Sequence, residues 1–153
     1  MESKEAAMKN MFFFSFLIVL ACTQPVTKEV IHTENAPKAI GPYSQAVRIG
    51  SSLYLSGQLG IDPQTGAFAE GGIEAQARQA LINQRAVLKA AGFRLADVVQ
   101  CQVFITDMNH YPRFNEIYQT FFTETFPARA VVEVSRLPRD GLVEIMMVAV
   151  RKQ

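Results

Sequence analysis

Three polar side chains in this 153-residue sequence stand where apolar ones are expected. Asn115 interrupts an aromatic stripe at helical spacing, and Glu144 interrupts the apolar run Leu142 to Val150. Arg129 follows Phe126-Pro127-Ala128 and leads into Ala130-Val131-Val132. Burying an unpaired polar group costs several kcal/mol, and a charge costs more, so such residues need a partner or a task. An arginine at the mouth of a buried strand offers a planar fork suited to a carboxylate. A desolvated glutamate gains basicity and can hold or deprotonate a water. Each residue has a structural alternative at this level. Asn115 caps or bridges a loop, Arg129 pairs with an acid of a neighbouring subunit, and Glu144 is that acid. Composition and spacing therefore lead to an oligomeric α+β domain with an anion-binding cleft.

Other reactive residues carry less. Cys101 alternates with Val99 and Val103, where a thiol acts as a small hydrophobe with a raised pKa. The Met146-Met147 pair belongs to core or interface. His32 and His110 lie far apart without clustered cysteines or carboxylates, so no metal site is expected. No G-x-x-x-x-G-K and no G-x-G-x-x-G occurs, which leaves phosphate cradling without support. Fifteen Lys and Arg against fourteen Asp and Glu give a net charge of +1, so no broad cationic surface for nucleic acid is expected.

The elements that must position these residues follow from the pattern of apolar residues. Strand signals span Glu29 to His32, Gln45 to Ile49 and Leu53 to Ser56, separated by Gly and Pro. Ile73 to Ala91 reads as a helix with Ile73, Ala77, Ala80, Leu81, Gln84, Leu88 and Ala91 inward and Gly92 as its left-handed cap. Asp97 to Thr106 is a strand whose apolar face is Val99, Cys101, Val103 and Ile105. Asn109 is the expected N-cap of a second helix reaching about Thr123, with Tyr111, Phe114, Asn115, Tyr118, Phe121 and Phe122 inward. Strands Ala128 to Arg136 and Leu142 to Val150 finish the chain. The order predicts an α+β fold with both helices on one face of a mixed sheet. In Leu142 to Val150 both faces are apolar apart from Glu144, so both should be covered. Two helices cover one face, and a second copy of the chain is the simplest cover for the other. The alternative is that loops cover it.

The first 22 residues stand apart. Met11 to Ala21 runs eleven residues without a charge after Lys9, too short for a membrane span but right for a signal-peptide apolar region. Val19-Leu20-Ala21-Cys22 resembles a bacterial lipobox, which makes Cys22 the expected lipidation site. Glu2 and Glu5 are unusual in a signal n-region, so Met8 competes with Met1 as the start. A buried N-terminal helix is the alternative. Residues 23–29 then form a tether and 30–153 the domain.

In order along the chain stand Asn35-Ala36-Pro37, Gly41-Pro42-Tyr43-Ser44-Gln45-Ala46, Ser56-Gly57-Gln58, Gln76-Ala77-Arg78-Gln79, Val103-Phe104, Phe114-Asn115-Glu116-Ile117-Tyr118, Phe126-Pro127-Ala128-Arg129, and Arg136-Leu137-Pro138 with Val143-Glu144-Ile145. Together they resemble the RidA (YjgF) family of reactive-intermediate imine deaminases, from about Thr33 to Arg151. The resemblance implies a chorismate-mutase-like α+β fold, a homotrimer with clefts between subunits, and no cofactor. It implies hydrolysis of 2-imino and 2-enamino acids, such as 2-aminoacrylate and 2-iminobutanoate, to 2-oxo acids and ammonia. Carried over by residue, Arg129 binds the substrate carboxylate and Glu144 activates the water. Tyr43, Ser56 and Asn115 line the cleft, and Gly57 adds a backbone contact. The sequence departs from many members at Val131, where they carry a cysteine, and at Met146, where they carry a second acid. The competing expectation is a trimer that binds small carboxylates without turning over imines. A functional leader directs the protein to the cell envelope, in the periplasm or anchored to a membrane through lipid; otherwise the resemblance implies the cytoplasm.

Overall fold

The computed structural model describes residues 27–151, so the leader, its lipobox and Cys22 lie outside the described residues. The strands are β1 (Lys28–Ile31), β2 (Ala46–Ile49), β3 (Ser52–Leu59), β4 (Val98–Ile105), β5 (Ala128–Glu133) and β6 (Val143–Val150). The helices are α1 (Gly72–Ala90) and α2 (Tyr111–Tyr118). One six-stranded sheet runs β1-β2-β3-β6-β4-β5. All neighbours are antiparallel except β4 and β5, which pair in parallel. The mixed α+β architecture expected from the element order is therefore present. β1 starts at Lys28, so the first strand includes the last two residues of the expected tether.

α1 buries Ile73, Ala77, Ala80, Leu81, Gln84 and Leu88 as its spacing predicts. Gly92 takes φ 77°, and the Phe93 N–H closes on the Leu88 carbonyl at 2.8 Å, ending the helix. In β6, Val143, Ile145, Met147 and Ala149 are buried beneath the helices. The opposite face of the sheet leaves Tyr54, Met146 and Val150 open to solvent at 52%, 37% and 42%.

Five expectations fail locally. Val99 is 46% exposed and Val98 takes the inward place, because the β4–β6 register shifts between Val98 and Gln100. Asn109 is not the cap of α2. The Asp107 carboxylate accepts the Asn109 N–H at 2.8 Å, and a 3₁₀ turn over Met108–His110 leads into the helix, with proline in its first turn. α2 stops at Tyr118, not Thr123, because the Thr120 hydroxyl donates to the Ile117 carbonyl and the next N–H groups tighten to i−3 bonds. β5 stops at Glu133 rather than Arg136, and β3 runs on to Leu59 across an irregularity.

Candidate active site

That irregularity builds the first half of the site. The β3–β6 register shifts between Leu55 and Gln58, which leaves Ser56 and Gly57 out of the ladder. Their neighbourhood is held by side-chain amides from α1. The Gln84 amide donates to the Ser56 carbonyl at 3.0 Å and to the Ile145 carbonyl, and the Asn83 amide donates to the carbonyls of Leu59 and Ile61. Gln45, 2% exposed, ties the loop before β2 down through bonds to Thr33, Ala36 and Pro37. These amides satisfy carbonyls that a bulge would otherwise strand. Gln84 stands on the inward stripe of α1, a polar residue among apolar ones. That misplaced polarity was the available signal.

Over the bulge lies a cavity of ≈ 330 Å³ lined by Tyr43, Ser56, Gly57 and Glu144 with apolar walls from Ile40 and Met146. Four of the six expected site residues therefore share one hollow. The Ser56 hydroxyl donates to the Ser44 carbonyl at 2.7 Å, so it fixes the loop while its lone pairs stay free. The Tyr43 hydroxyl accepts the Ile40 N–H at 3.3 Å. Glu144 is half-buried, and desolvation raises its pKa above the ordinary carboxylate value. Its carboxylate lies directly on Gly57, where a Cβ would stand 1.9 Å from Oε1. Gly57→Ala must therefore swing the carboxylate aside. Since that group is the end of a flexible side chain, the variant is expected to fold with a small loss in melting temperature. Its kcat should fall about 100-fold, the scale for a reacting group displaced by 1 Å. Thermal unfolding alongside initial rates checks both halves of the expectation.

The second half of the site lies on the helix side. Arg129 sits at the start of edge strand β5, in register with Cys101. Its Nη2 donates to Asn115 Oδ1 at 2.8 Å and to the Tyr111 hydroxyl at 3.2 Å. Its guanidinium carbon lies 4.5 Å from the centre of the Tyr118 ring. No carboxylate among the described residues is within ion-pair distance of it. A hollow of ≈ 380 Å³ opens beside it, lined by Asn115, Tyr118, Phe126 and Pro127. Cys101 is fully buried and its thiol is pushed up to about 11 by burial, so it packs as expected.

The two halves do not meet within one chain. Glu144 is in register with Phe104 and Arg129 with Cys101, positions of opposite parity on β4. Arg129 therefore points toward α2, and Glu144 toward the helix-free face, two strand spacings (about 10 Å) away. Among the described residues no cluster of His, Cys, Asp or Glu is fit to hold a metal.

The profile of the family described as endoribonuclease L-PSP matches residues 33–151. A RutC family protein, PH0854, of Pyrococcus horikoshii is 52% identical over 82% of this chain and 99% of its own. A 2-iminobutanoate/2-iminopropanoate deaminase of Salmonella typhimurium is 51% identical over 81% of this chain and 98% of its own. The crystal structure of the YjgF gene product from E. coli superposes with a TM-score of 0.78 at 47% identity, covering 81% of this chain and 99% of that one.

Proposed function

The chain belongs to the RidA/YjgF family, and from that membership we propose that it is a hydrolytic deaminase converting reactive 2-imino and 2-enamino acids to 2-oxo acids and ammonia. The likeness to the Salmonella deaminase over almost its full length carries this reading. Two features of the geometry support it, an arginine without an acidic partner among the described residues and a half-buried glutamate in a cavity. A protonated imine carbon is already electrophilic, so the protein needs to hold the acid and deliver water. Arg129 takes the carboxylate, being a fork without an acidic partner. Glu144 accepts a proton from water as its oxygen bonds to C2, giving a carbinolamine. Glu144 returns that proton to the amino nitrogen, and the carbinolamine hydroxyl then loses its own proton to solvent as the C–N bond breaks, releasing ammonia and the 2-oxo acid. An enamine such as 2-aminoacrylate enters after protonation at C3.

The reading requires a second copy of the chain. Arg129 of one protomer faces the Glu144 hollow of the next in a homotrimer, with the helix-free sheet faces turned inward. Those faces carry the exposed Tyr54, Met146 and Val150 that water would otherwise meet. The near-neutral charge fits a small organic acid better than RNA as substrate. A dehydratase acting on serine supplies 2-aminoacrylate, and added protein is expected to accelerate pyruvate release. An unchanged rate at micromolar protein overturns the assignment.

Upstream, residues 1–22 act as a lipoprotein leader ending at Cys22, with a short tether before the domain. No helix of the described residues is long and apolar enough to cross a membrane, so on this reading attachment comes through lipid alone. Cells fed an alkynyl fatty acid should label the wild-type protein and not Cys22→Ser. Unlabelled wild type overturns the lipid anchor.

A further inference from the structure

A guanidinium has five N–H groups, and both of its two-pronged modes toward a carboxylate use a hydrogen on Nη2. In this chain both Nη2 hydrogens have acceptors, Asn115 Oδ1 at 2.8 Å and the Tyr111 hydroxyl at 3.2 Å. A carboxylate can dock on the fork only if one of them yields. Asn115 holds the shorter bond. Tyr111 holds the longer one and lies at the start of α2, only partly covered, with the guanidinium carbon 5.8 Å from the centre of its ring. The guanidinium itself cannot retreat, because the Tyr118 ring closes one of its faces at 4.5 Å and the Phe114 ring lies 5.6 Å away. The phenol oxygen of Tyr111 thus stands where an arriving carboxylate oxygen must go.

We propose that Tyr111 is a substrate-binding residue: on docking, its hydroxyl gives up the Arg129 proton and donates its own proton to the substrate carboxylate. The assignment rests on Arg129 as the carboxylate anchor. Tyr111 accepts from Arg129 in the empty site, and its phenolic hydrogen, with Asn115 beside it, can turn to an arriving carboxylate. Neighbouring Asn115 and Arg129 also lower the phenol's pKa, which strengthens it as a donor. The same oxygen that blocks the fork when empty becomes a third ligand when it is filled. It therefore selects for an anionic oxygen over a neutral amide.

Tyr111→Phe keeps the ring, removes the hydroxyl and alters a partly exposed position, so its melting temperature should match the wild type. Its KM for 2-iminopropanoate, supplied by an amino-acid oxidase acting on alanine, is expected to rise about 10- to 100-fold, the scale of one hydrogen bond to a charged group. Its kcat should stay within about twofold, since nothing at C2 changes. Inhibition by pyruvate should weaken in parallel, while inhibition by pyruvamide stays unchanged. In an Arg129→Ala background the Tyr111 substitution should add nothing. An unchanged or lower KM in Tyr111→Phe, with Arg129→Ala still strongly impaired, overturns the Tyr111 assignment alone. Full activity in Arg129→Ala overturns the anchor beneath it.

Discussion

Arg129→Ala is expected to lower kcat/KM by about 10³-fold while the protein remains folded. Losing the charged partner of a desolvated carboxylate costs 2–5 kcal/mol, and that range spans about 30- to several thousand-fold in rate. The fold has less at stake. Arg129 is partly exposed at an edge strand, and its structural contacts are two hydrogen bonds and the face of Tyr118. Removing a cation from an aromatic face costs about 1 kcal/mol at such a site. Arg129→Lys keeps charge but loses the planar fork, and its rate should fall between the two. The sheet topology adds a sharper test. Arg129 and Glu144 face opposite sides of one sheet, so a working pair has to come from two protomers. Coexpressing Arg129→Ala with Glu144→Gln should then restore intact sites in mixed trimers, to about a quarter of wild-type activity for random assembly. Pyruvate release from the mixture measures it directly. A mixture as inactive as either parent would place both groups in one protomer's site and contradict the geometry.

How far the sequence could reach is clearest from β6 and α1. Strict alternation over Val143 to Val150 and three-four spacing over Ile73 to Leu88 report burial directly, and those residues are buried where the pattern puts them. Irregular features escaped because they break the period. One extra residue in β4 moved Val99 outward, and the shift at Ser56–Gly57 is invisible without knowing what pairs with β3. The partner of β3 is β6, which inserts between β3 and β4 although it comes last in the chain. That insertion brings Glu144 onto Gly57, a contact between residues far apart in sequence. Asp107 and Asn109 are both residues of capping type ahead of α2, and a 3₁₀ turn before a proline decides between them. Arg129, Glu144 and Asn115 stand out in the sequence as misplaced polarity, and the resemblance adds Tyr43, Ser56 and Gly57. The division of those residues between two faces needed strand order.

Glu144→Gln separates catalysis from stability most cleanly. Burial alone raises the Glu144 pKa, and no cation among the described residues stands within ion-pair distance of it. The folded state therefore holds the proton more tightly than the unfolded chain does. Between the ordinary carboxylate pKa of 4.5 and the raised folded value, the native state binds more protons, so stability falls as pH rises through that window. Glutamine removes the titration, so Glu144→Gln should flatten this slope and be at least as stable as wild type above the window. Activity moves the other way. Only the ionised carboxylate can take the water's proton, so wild-type kcat should climb with pH through the raised pKa and then level off. Glutamine cannot accept that proton, and kcat is expected to drop about 10²–10⁴-fold, with the acidic limb gone from what remains. KM should change little, because the carboxylate anchor lies on the other half of the site. Urea titrations and rate profiles across the same pH range test both curves. A Glu144→Gln protein that is stable yet fully active would assign the water's activation to another group. One that loses stability in step with activity would make Glu144 a structural residue whose burial the fold exploits.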